Sequence, residues 1–192
     1  MINSGNKIIL AVTGASGSVY ALKLLGKLSA LKMPPAEIAV VFSDTAKEIW
    51  KHETGQIYIP VPPARVFENN NFFAPFASGS STYSTMIICP ASLGTLGRIA
   101  NGVSDDLISR AADVILKERR KLILVPRETP YNLIHIKNME VLTLAGAVIC
   151  PATPSFYSKP QTIEDLAMTV VNRIISLAGY ESDSYHWMED DR

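Results

Sequence analysis

The feature that most constrains the fold is a regular alternation of short apolar runs and helical patterns. Five runs rich in β-branched residues are typical of buried strands: Ile8–Val12, Ile38–Phe42, Met86–Cys89, Leu122–Val125 and Ala147–Cys150. Helical patterns accompany them, at roughly Val19–Leu31, Thr45–Lys51, Asp105–Glu118, Ile134–Leu144 and Ile163–Leu177. Continuous apolar strands separated by helices indicate a parallel sheet that is covered on both faces. We therefore predict one domain over residues 1–180, with a three-layer α/β/α fold of the Rossmann-like or flavodoxin-like kind.

Two segments depart from this alternation. Residues Tyr58–Ala77 are rich in Pro, Asn and Phe and have no clean period, so no element is assigned to them. Pro151–Gln161 contains three prolines, which exclude a helix and predict an extended loop. Because this loop leaves the carboxyl end of a strand, it is well placed to cover a site. Thr162 and Asp165 are typical of a capped start of the last helix.

Composition limits the function and the location. The 192 residues contain 18 basic and 18 acidic side chains, and this balance favours self-association over binding to nucleic acid or an anionic membrane. Cys89 and Cys150 follow matching apolar runs, which predicts buried thiols in a reducing compartment. There is neither a signal-peptide pattern nor an apolar span of about twenty residues, so we expect a cytoplasmic protein. No metal site is expected, because zinc spacing is absent among His52, His135 and His186.

Two turns rich in small residues are candidates for ligand binding. Thr13–Ser18 (TGASGS) joins the first strand to a helix, where backbone N–H groups can bind a phosphate. Its spacing matches neither a dinucleotide fingerprint nor a P-loop nor a nucleophile elbow, which favours a small anionic or flavin ligand. Cys89–Leu96 (CPASLGTL) is a second such turn, and Ser78–Ser81 adds small polar groups. Together they predict a paired cradle; the alternatives are an ordinary strand–helix connection and a flexible loop.

The run Arg110–Glu128 carries the strongest chemical signal. A basic helix leads into the strand Leu122–Val125, which places Arg127 and Glu128 at its carboxyl end, where open α/β sheets bind ligands. An arginine beside a glutamate there is suited to binding an anion and transferring a proton. The alternative is a surface ion pair with no catalytic role.

Lys117 is harder to place. Arg110 and Lys117 lie seven residues apart on one helical face, about 10 Å apart along the axis, which puts Lys117 near the opposite end of the sheet. Either Lys117 pairs with Asp113, or the site is shared between subunits.

Three further residues have both a functional and an ordinary interpretation. Arg173 on the last helix either binds an anion or extends its charged group to solvent. Tyr157 either binds a phosphate or packs its loop, and Glu53 is either a general acid/base or a surface carboxylate.

These motifs together resemble the UbiX-type flavin prenyltransferases, a family of flavoproteins. The resemblance extends from Ile8 to about Ala178, and its most specific parts are the run RAADVILKERRKLILVPRETP and the run GAVICPATPSFYSKPQTIEDL. It implies an enzyme that joins the dimethylallyl group of dimethylallyl phosphate to N5 and C6 of reduced FMN. The product, prenylated FMN, serves UbiD-type decarboxylases, some of them in ubiquinone synthesis. The resemblance also implies a metal-independent reaction and a homododecamer with sites between subunits.

The resemblance assigns a role to each candidate residue. Cofactor-binding positions are Gly14, Ala15, Ser16, Ser43, Ser92, Leu93, Gly94, Thr95 and Arg127. Dimethylallyl phosphate would be bound by Tyr157, Arg173, Lys117, Arg110 and Phe72. Catalytic roles fall to Ser16, Glu53, Lys117 and Glu128, with Glu128 transferring a proton to the departing phosphate.

The chain departs from the family in three places. Some relatives carry tryptophan where Phe72 stands, and a phenyl ring is the weaker π-face for an allylic cation. The Tyr58–Asn71 region is short beside some relatives, and in the tail, residues 181–192, Trp187 matches only loosely a tryptophan that closes the site. Two other functions compete: an FMN-dependent decarboxylase of related fold, whose catalytic histidine and substrate motif this chain lacks, and a non-catalytic flavin carrier.

Overall fold

The computed structural model of the protein describes residues 6–181. Within this range six parallel strands form one sheet: β1 Lys7–Val12, β2 Glu37–Phe42, β3 Ala64–Glu68, β4 Tyr83–Ala91, β5 Lys121–Pro126 and β6 Val148–Ile149. The helices are α1 Ser18–Ser29, α2 Asp44–Thr54, α3 Leu93–Ala100, α4 Leu107–Lys117, α5 Leu133–Leu144 and α6 Ile163–Ala178. The architecture is a flavodoxin-like α/β fold, as predicted.

The order of the strands creates a crevice at the carboxyl edge of the sheet. Across the sheet the order is β3-β2-β1-β4-β5-β6, so the chain builds outward from β1 in one direction and then outward from β4 in the other. The loops that follow β1 and β4 therefore diverge. Such a reversal point is where open α/β sheets bind their ligands.

The central strands are buried on both faces. Ile8, Leu10 and Val12 of β1 pack in one core cluster with α1 and α6, while Ile9 and Ala11 pack in a second cluster with α3 and α4. Since both faces are covered, every residue from Ile8 to Val12 is apolar, and the pattern is a continuous run. This is why the sequence located the central strands, although β4 extends beyond the predicted Met86–Cys89 at both ends.

The edges of the sheet were predicted less well. The unassigned region Tyr58–Ala77 contains β3, an edge strand in which only Phe67 is buried, and a 3₁₀ turn at Pro75–Ala77. On the opposite edge, β6 has two residues, fewer than the predicted Ala147–Cys150. Edge strands have one strand neighbour, and here they lack the continuous apolar run that made the central strands recognisable.

Other local predictions are confirmed. Thr162 Oγ1 accepts the backbone N–H of Asp165 at 3.0 Å and starts α6, and residues 151–161 form no helix. Cys89 and Cys150 are buried free thiols. Among the described residues, none of the helices combines the length and the apolar character needed to cross a membrane. The predicted tail is residues 181–192, and all of it after residue 181, including Trp187, lies outside the described residues.

Candidate active site

The two predicted small-residue turns meet at the reversal point of the sheet. The hydroxyl of Thr13 donates to the carbonyl of Pro90 at 2.9 Å and accepts the backbone N–H of Ser92 at 2.7 Å. The backbone N–H of Thr13 also donates to Pro90 O at 3.2 Å. One threonine thus joins the loops after β1 and β4, and the prediction that the two turns lie together is confirmed; we call the pair the cradle.

The turn after β1 also packs closely against the start of α2. A Cβ placed on Gly14 would lie 3.0 Å from both Cβ and Cγ2 of Thr45, so a larger side chain could fit only if α2 moved. Ser43 caps α2 by accepting the N–H of Ala46 at 3.2 Å, and its own N–H donates to Val12 O at 3.0 Å. Ser43 therefore lies at the same edge as the first turn, as predicted.

Glu53 takes the place that was predicted for a phosphate. Its carboxylate accepts the N–H of Gly17 at 3.1 Å and that of Ser18 at 2.7 Å, which are the donors at the start of α1. Burial raises the pKa of Glu53, but hydrogen bonds from Ser16, Ser18 and Gly17 outweigh it and hold the pKa below the ordinary value. The prediction that these N–H groups bind a phosphate is therefore wrong, because an ionised carboxylate of the same chain occupies them.

A cleft opens beside this carboxylate. It has a volume of ≈ 320 Å³ and lies between α1 and the end of α2, lined by Ser16, Gly17, Val19, Leu22, Glu53, Thr54 and Gln56. Two of the predicted catalytic residues, Ser16 and Glu53, thus share one cavity at the carboxyl edge.

The N–H groups after β1 are bound by Glu53, whereas the turn after β4 has open space beside its N–H groups. Ser92 caps α3 by accepting the N–H of Thr95 at 3.3 Å, and the two hydroxyl oxygens are 2.9 Å apart. The N–H groups of Leu93 and Gly94 lie in the first helical turn, where no acceptor exists within the helix. A Cβ on Gly94 would meet nothing within 4 Å. These donors and this open space fit the phosphate of a flavin nucleotide.

Arg127 connects the end of β5 to the first turn. Its Nε donates to the carbonyl of Ser16 at 2.9 Å, so the half-buried guanidinium lies against the loop after β1. Glu128 is exposed beside it, and its Oε1 accepts the N–H of Thr129 at 2.9 Å. The structure thus places the predicted Arg127–Glu128 pair at the edge of the cradle.

The proline-rich loop begins at this end of the sheet. The N–H of Ala152 donates to Pro126 O at 2.9 Å, and the N–H of Ser155 donates to Thr169 Oγ1 of α6 at 3.1 Å. Tyr157 of this loop and Arg173 of α6 are both exposed. The loop therefore begins beside Arg127 and is attached to the helix that carries Arg173.

Lys117 lies away from this group within one protomer. Its Nζ contacts Glu118 Oε1 at 2.6 Å, and Arg120 donates to the carbonyl of Tyr83, the first residue of β4. The end of α4 is therefore at the amino edge of the sheet, opposite Glu128. The alternative pairing with Asp113 is wrong, because the Asp113 carboxylate binds Arg110 at 3.1 Å.

Arg110 and Phe72 belong to the other end of α4. Arg110 Nε donates to Ala77 O at 3.0 Å, and the N–H of Leu107 donates to Asn69 O at 2.7 Å, which holds the segment containing Phe72 against the start of this helix. Phe72 is 45% exposed.

Comparison with known proteins identifies the family. The Flavoprotein family model matches residues 2–176. The flavin prenyltransferase UbiX of Pseudomonas aeruginosa is 44% identical over 92% of this chain and 91% of its own. The chain belongs to the UbiX-type flavin prenyltransferase family.

Solved structures of UbiX-type proteins have the same fold. AnUbiX (PadA1), in complex with FMN and dimethylallyl pyrophosphate, is 42% identical, covers 95% of this chain and 97% of its own, and superposes with a TM-score of 0.88. A dodecameric FMN-dependent UbiX-like decarboxylase from Escherichia coli O157:H7 is 36% identical, with 95% and 99% coverage and a TM-score of 0.86.

Sequence reasoning missed the roles of two residues that shape this UbiX-type site. Thr13 was read only as part of a turn, although its hydroxyl joins both turns. Arg98 was not considered, although its Nη2 donates to Thr95 Oγ1 at 3.3 Å. The spacing of three residues between Thr95 and Arg98 on one helix was the available signal for that contact.

Proposed function

We propose that this protein transfers the dimethylallyl group of dimethylallyl phosphate to N5 and C6 of reduced FMN. The observation that carries the proposal is the Thr13 bridge, which joins two small-residue turns at the reversal point of the sheet, with the open first turn of α3 beside it. Ser43, Ser92, Leu93, Gly94 and Thr95 would hold the FMN, together with Gly14, Ala15, Ser16 and Arg127.

Glu128 is the proposed proton donor. In the reaction, the carbon–oxygen bond between the prenyl group and the phosphate breaks, a carbon–nitrogen bond to N5 forms, N5 loses its proton and the phosphate takes one up. The bond to C6 forms at the expense of the prenyl double bond, which takes up one proton while C6 loses one. Glu128 is an exposed carboxyl group at the end of β5, next to the guanidinium of Arg127, so it is available to a ligand at this edge. Glu53 and Ser16 are proposed to act beside the flavin ring.

Cationic and hydroxyl groups would bind the leaving phosphate without a metal ion. Tyr157 belongs to the loop that is proposed to cover the site, and Arg173 belongs to α6, to which that loop is attached. Arg110 and Lys117 would complete the binding set. Electrostatic stabilisation by such groups substitutes for a metal on a monophosphate. Dimethylallyl phosphate remains our proposed donor, and a diphosphate, as in the AnUbiX complex, is the comparison to test.

The positions of Lys117 and Glu128 support a site that is shared between subunits. In addition, α5 presents an exposed apolar surface formed by Leu133, Ile134, Ile136, Val141 and Leu144. Such a surface is suited to burial against another subunit. We propose a homo-oligomer, with the dodecamer of the E. coli UbiX-like protein as the expected form.

The proposed context is the cytoplasm, where the thiols of Cys89 and Cys150 would stay reduced. The prenylated FMN would pass to a UbiD-type decarboxylase, and neither nucleic acid nor a membrane is proposed as a partner.

The test is anaerobic incubation of the protein with reduced FMN and dimethylallyl phosphate, followed by mass spectrometry of the released flavin. We expect the flavin to gain one C5 prenyl unit, and we expect Glu128→Gln to abolish this gain while FMN stays bound. Glu48→Gln, which changes an exposed glutamate of α2, is the matched control and should react as the wild type does.

Two other outcomes would change the assignment. Bound but unmodified FMN, with either phosphate donor, would contradict the transferase and indicate a flavin carrier. Release of carbon dioxide from an aromatic acid, without any partner enzyme, would indicate a decarboxylase, the activity in the name of the E. coli neighbour.

A further inference from the structure

Arg98 is the first positively charged residue in sequence after the open turn that begins α3. Its Nη2 donates to the hydroxyl of Thr95 at 3.3 Å, and that hydroxyl is 2.9 Å from the hydroxyl of Ser92. Ser92 Oγ also accepts the backbone N–H of Thr95 at 3.3 Å. A continuous chain of hydrogen bonds therefore runs from Arg98 through Thr95 to Ser92, at the mouth of the cradle.

The charge of Arg98 favours one direction of the chain. A guanidinium only donates hydrogen bonds, whereas a hydroxyl donates one and accepts two. Thr95 Oγ1 accepts from the positively charged Arg98, which polarises the Thr95 hydroxyl and makes its hydrogen the stronger donor, so donation from Thr95 to Ser92 Oγ is favoured over the reverse. Ser92 Oγ then accepts from both the N–H and the O–H of Thr95, which fills its two acceptor positions. The hydrogen of Ser92 is left to point out of the turn, toward an acceptor.

Without the charge of Arg98 this direction is no longer favoured. Ser92 could then donate to Thr95 Oγ1 equally well, and in that arrangement the turn presents a lone pair toward the cradle. A phosphate carries only acceptor oxygens when it is ionised, so it binds well to the first arrangement and poorly to the second.

Two carboxylates hold Arg98 in this position. Its Nε lies 3.6 Å from Asp105 Oδ1, and its Nη2 lies 3.8 Å from Asp106 Oδ2. Asp106 in turn caps α4 by accepting the N–H of Ser109 at 2.7 Å. The guanidinium is therefore supported from a separate helix, and its charge is compensated, so it acts on the ligand through Thr95.

We propose that Arg98 is a positioning residue that orients the Thr95 and Ser92 hydroxyls so that the turn offers an O–H donor to the phosphate of the flavin. This inference rests on the proposed function, because it takes the flavin nucleotide as the ligand of the cradle. It identifies the phosphate, and not the ring, as the group that depends on Arg98.

The experiment compares FMN with riboflavin, which has the same ring system and no phosphate. Dissociation constants are measured for the full-length wild type, Arg98→Met, Arg98→Lys, Thr95→Val and the double variant Arg98→Met/Thr95→Val. We expect Arg98→Met to weaken FMN binding about 10-fold, the usual effect of losing a hydrogen bond to a charged group, and to leave riboflavin binding unchanged. Arg98→Lys should recover part of the loss, and the double variant should bind FMN no more weakly than Thr95→Val.

Two results would overturn the inference. Equal weakening of FMN and riboflavin would show that Arg98 only supports the fold of the turn. Additive effects of Arg98→Met and Thr95→Val would show that Arg98 does not act through Thr95. If Arg98→Met does not fold, Arg98→Lys is measured in its place: a weakening confined to FMN supports the inference, and an unchanged FMN affinity overturns it.

The same preparations separate this inference from the proposed function. Wild type and Arg98→Met are assayed for flavin prenylation. A wild type that prenylates FMN, with an Arg98→Met variant of unchanged FMN affinity, would overturn only the role of Arg98. A wild type that binds neither flavin would overturn both.

Discussion

Glu53 Oε2 accepts the backbone N–H of Ser18 at 2.7 Å, across 35 residues of sequence. Both carboxylate oxygens also accept the N–H of Gly17 at 3.1 Å. The end of α2 is thereby attached to the start of α1, next to Ser16. An ionised carboxylate at this position both neutralises the positive end of the helix and fixes the loop that is proposed to line the flavin.

Replacing Glu53 by Gln should lower stability in a pH-dependent way. Hydrogen bonds hold the pKa of Glu53 below its ordinary value of 4.5, so the folded state binds this proton less readily than the unfolded chain does. The stabilisation is therefore complete above that ordinary value and is lost as the pH falls through the lowered pKa. Urea unfolding from about pH 7 down to about pH 3 should show a wild-type advantage that shrinks at the acid end.

Glu48→Gln on the same helix is the control for Glu53→Gln, since Glu48 is exposed. It should leave the unfolding free energy unchanged across the whole range. A Glu53→Gln deficit that is constant down to the lowest pH would contradict the role of the ionised carboxylate.

Gly14→Ala should lower the stability of the fold, whereas Gly94→Ala should lower the affinity for FMN. A methyl on Gly14 meets Thr45 at 3.0 Å, so we expect a loss of about 1–3 kcal/mol in the free energy of unfolding. A methyl on Gly94 meets nothing within 4 Å and lies in a helix, so stability should hold or rise by about 0.5 kcal/mol. FMN affinity should nevertheless fall in Gly94→Ala, because the methyl enters the open space of the cradle. Calorimetric titration with FMN checks this, and unchanged affinity would place the flavin elsewhere.

A mixture of two inactive variants should regain activity if the site is shared between subunits. Lys117→Ala and Glu128→Gln each remove one group, and these groups lie at opposite edges of the sheet in one protomer. When the two variants are coexpressed with different tags and purified as mixed oligomers, about a quarter of the sites should contain both wild-type groups. Prenylation activity should therefore recover to about a quarter of the wild-type activity.

The control for this mixture pairs Lys117→Ala with the double variant Lys117→Ala/Glu128→Gln, which offers no intact site. Recovery must be absent there. If the first mixture is also inactive, Lys117 and Glu128 act within one protomer or not at all.

Phe72→Trp should accelerate prenyl transfer. An indole is the stronger π-face for an allylic cation, and the difference of about 0.5–1 kcal/mol corresponds to a rate gain of about 2- to 5-fold. Phe73→Trp is the matched control, because Phe73 is its fully exposed neighbour, at 100% of its accessible surface. Single-turnover rates measure the effect. Equal rates for wild type and Phe72→Trp would show that this ring does not face the reacting carbon.

Local patterns predicted much of this molecule. The central strands were recognisable because both faces of the sheet are covered, which requires an apolar residue at every position from Ile8 to Val12. The start of α6 was recognisable because Thr162 and Asp165 satisfy each other's backbone N–H groups within four residues. The two cradle turns followed from small residues at strand ends. In each case the signal lies within a short stretch of sequence, so residue type and local spacing carry the information.

The tertiary structure decided how the candidate residues are grouped. Glu53 binds the start of α1 because α2 crosses the carboxyl edge, and no local spacing encodes that crossing. Arg127 reaches Ser16 across 111 residues, through the order of the strands. Lys117 lies at the far edge because a helix between parallel strands runs back across the sheet. The chain alone determined which layers form and which side chains stand at strand ends; the packing of helices on the sheet decided which of those side chains meet, because that depends on contacts between distant segments.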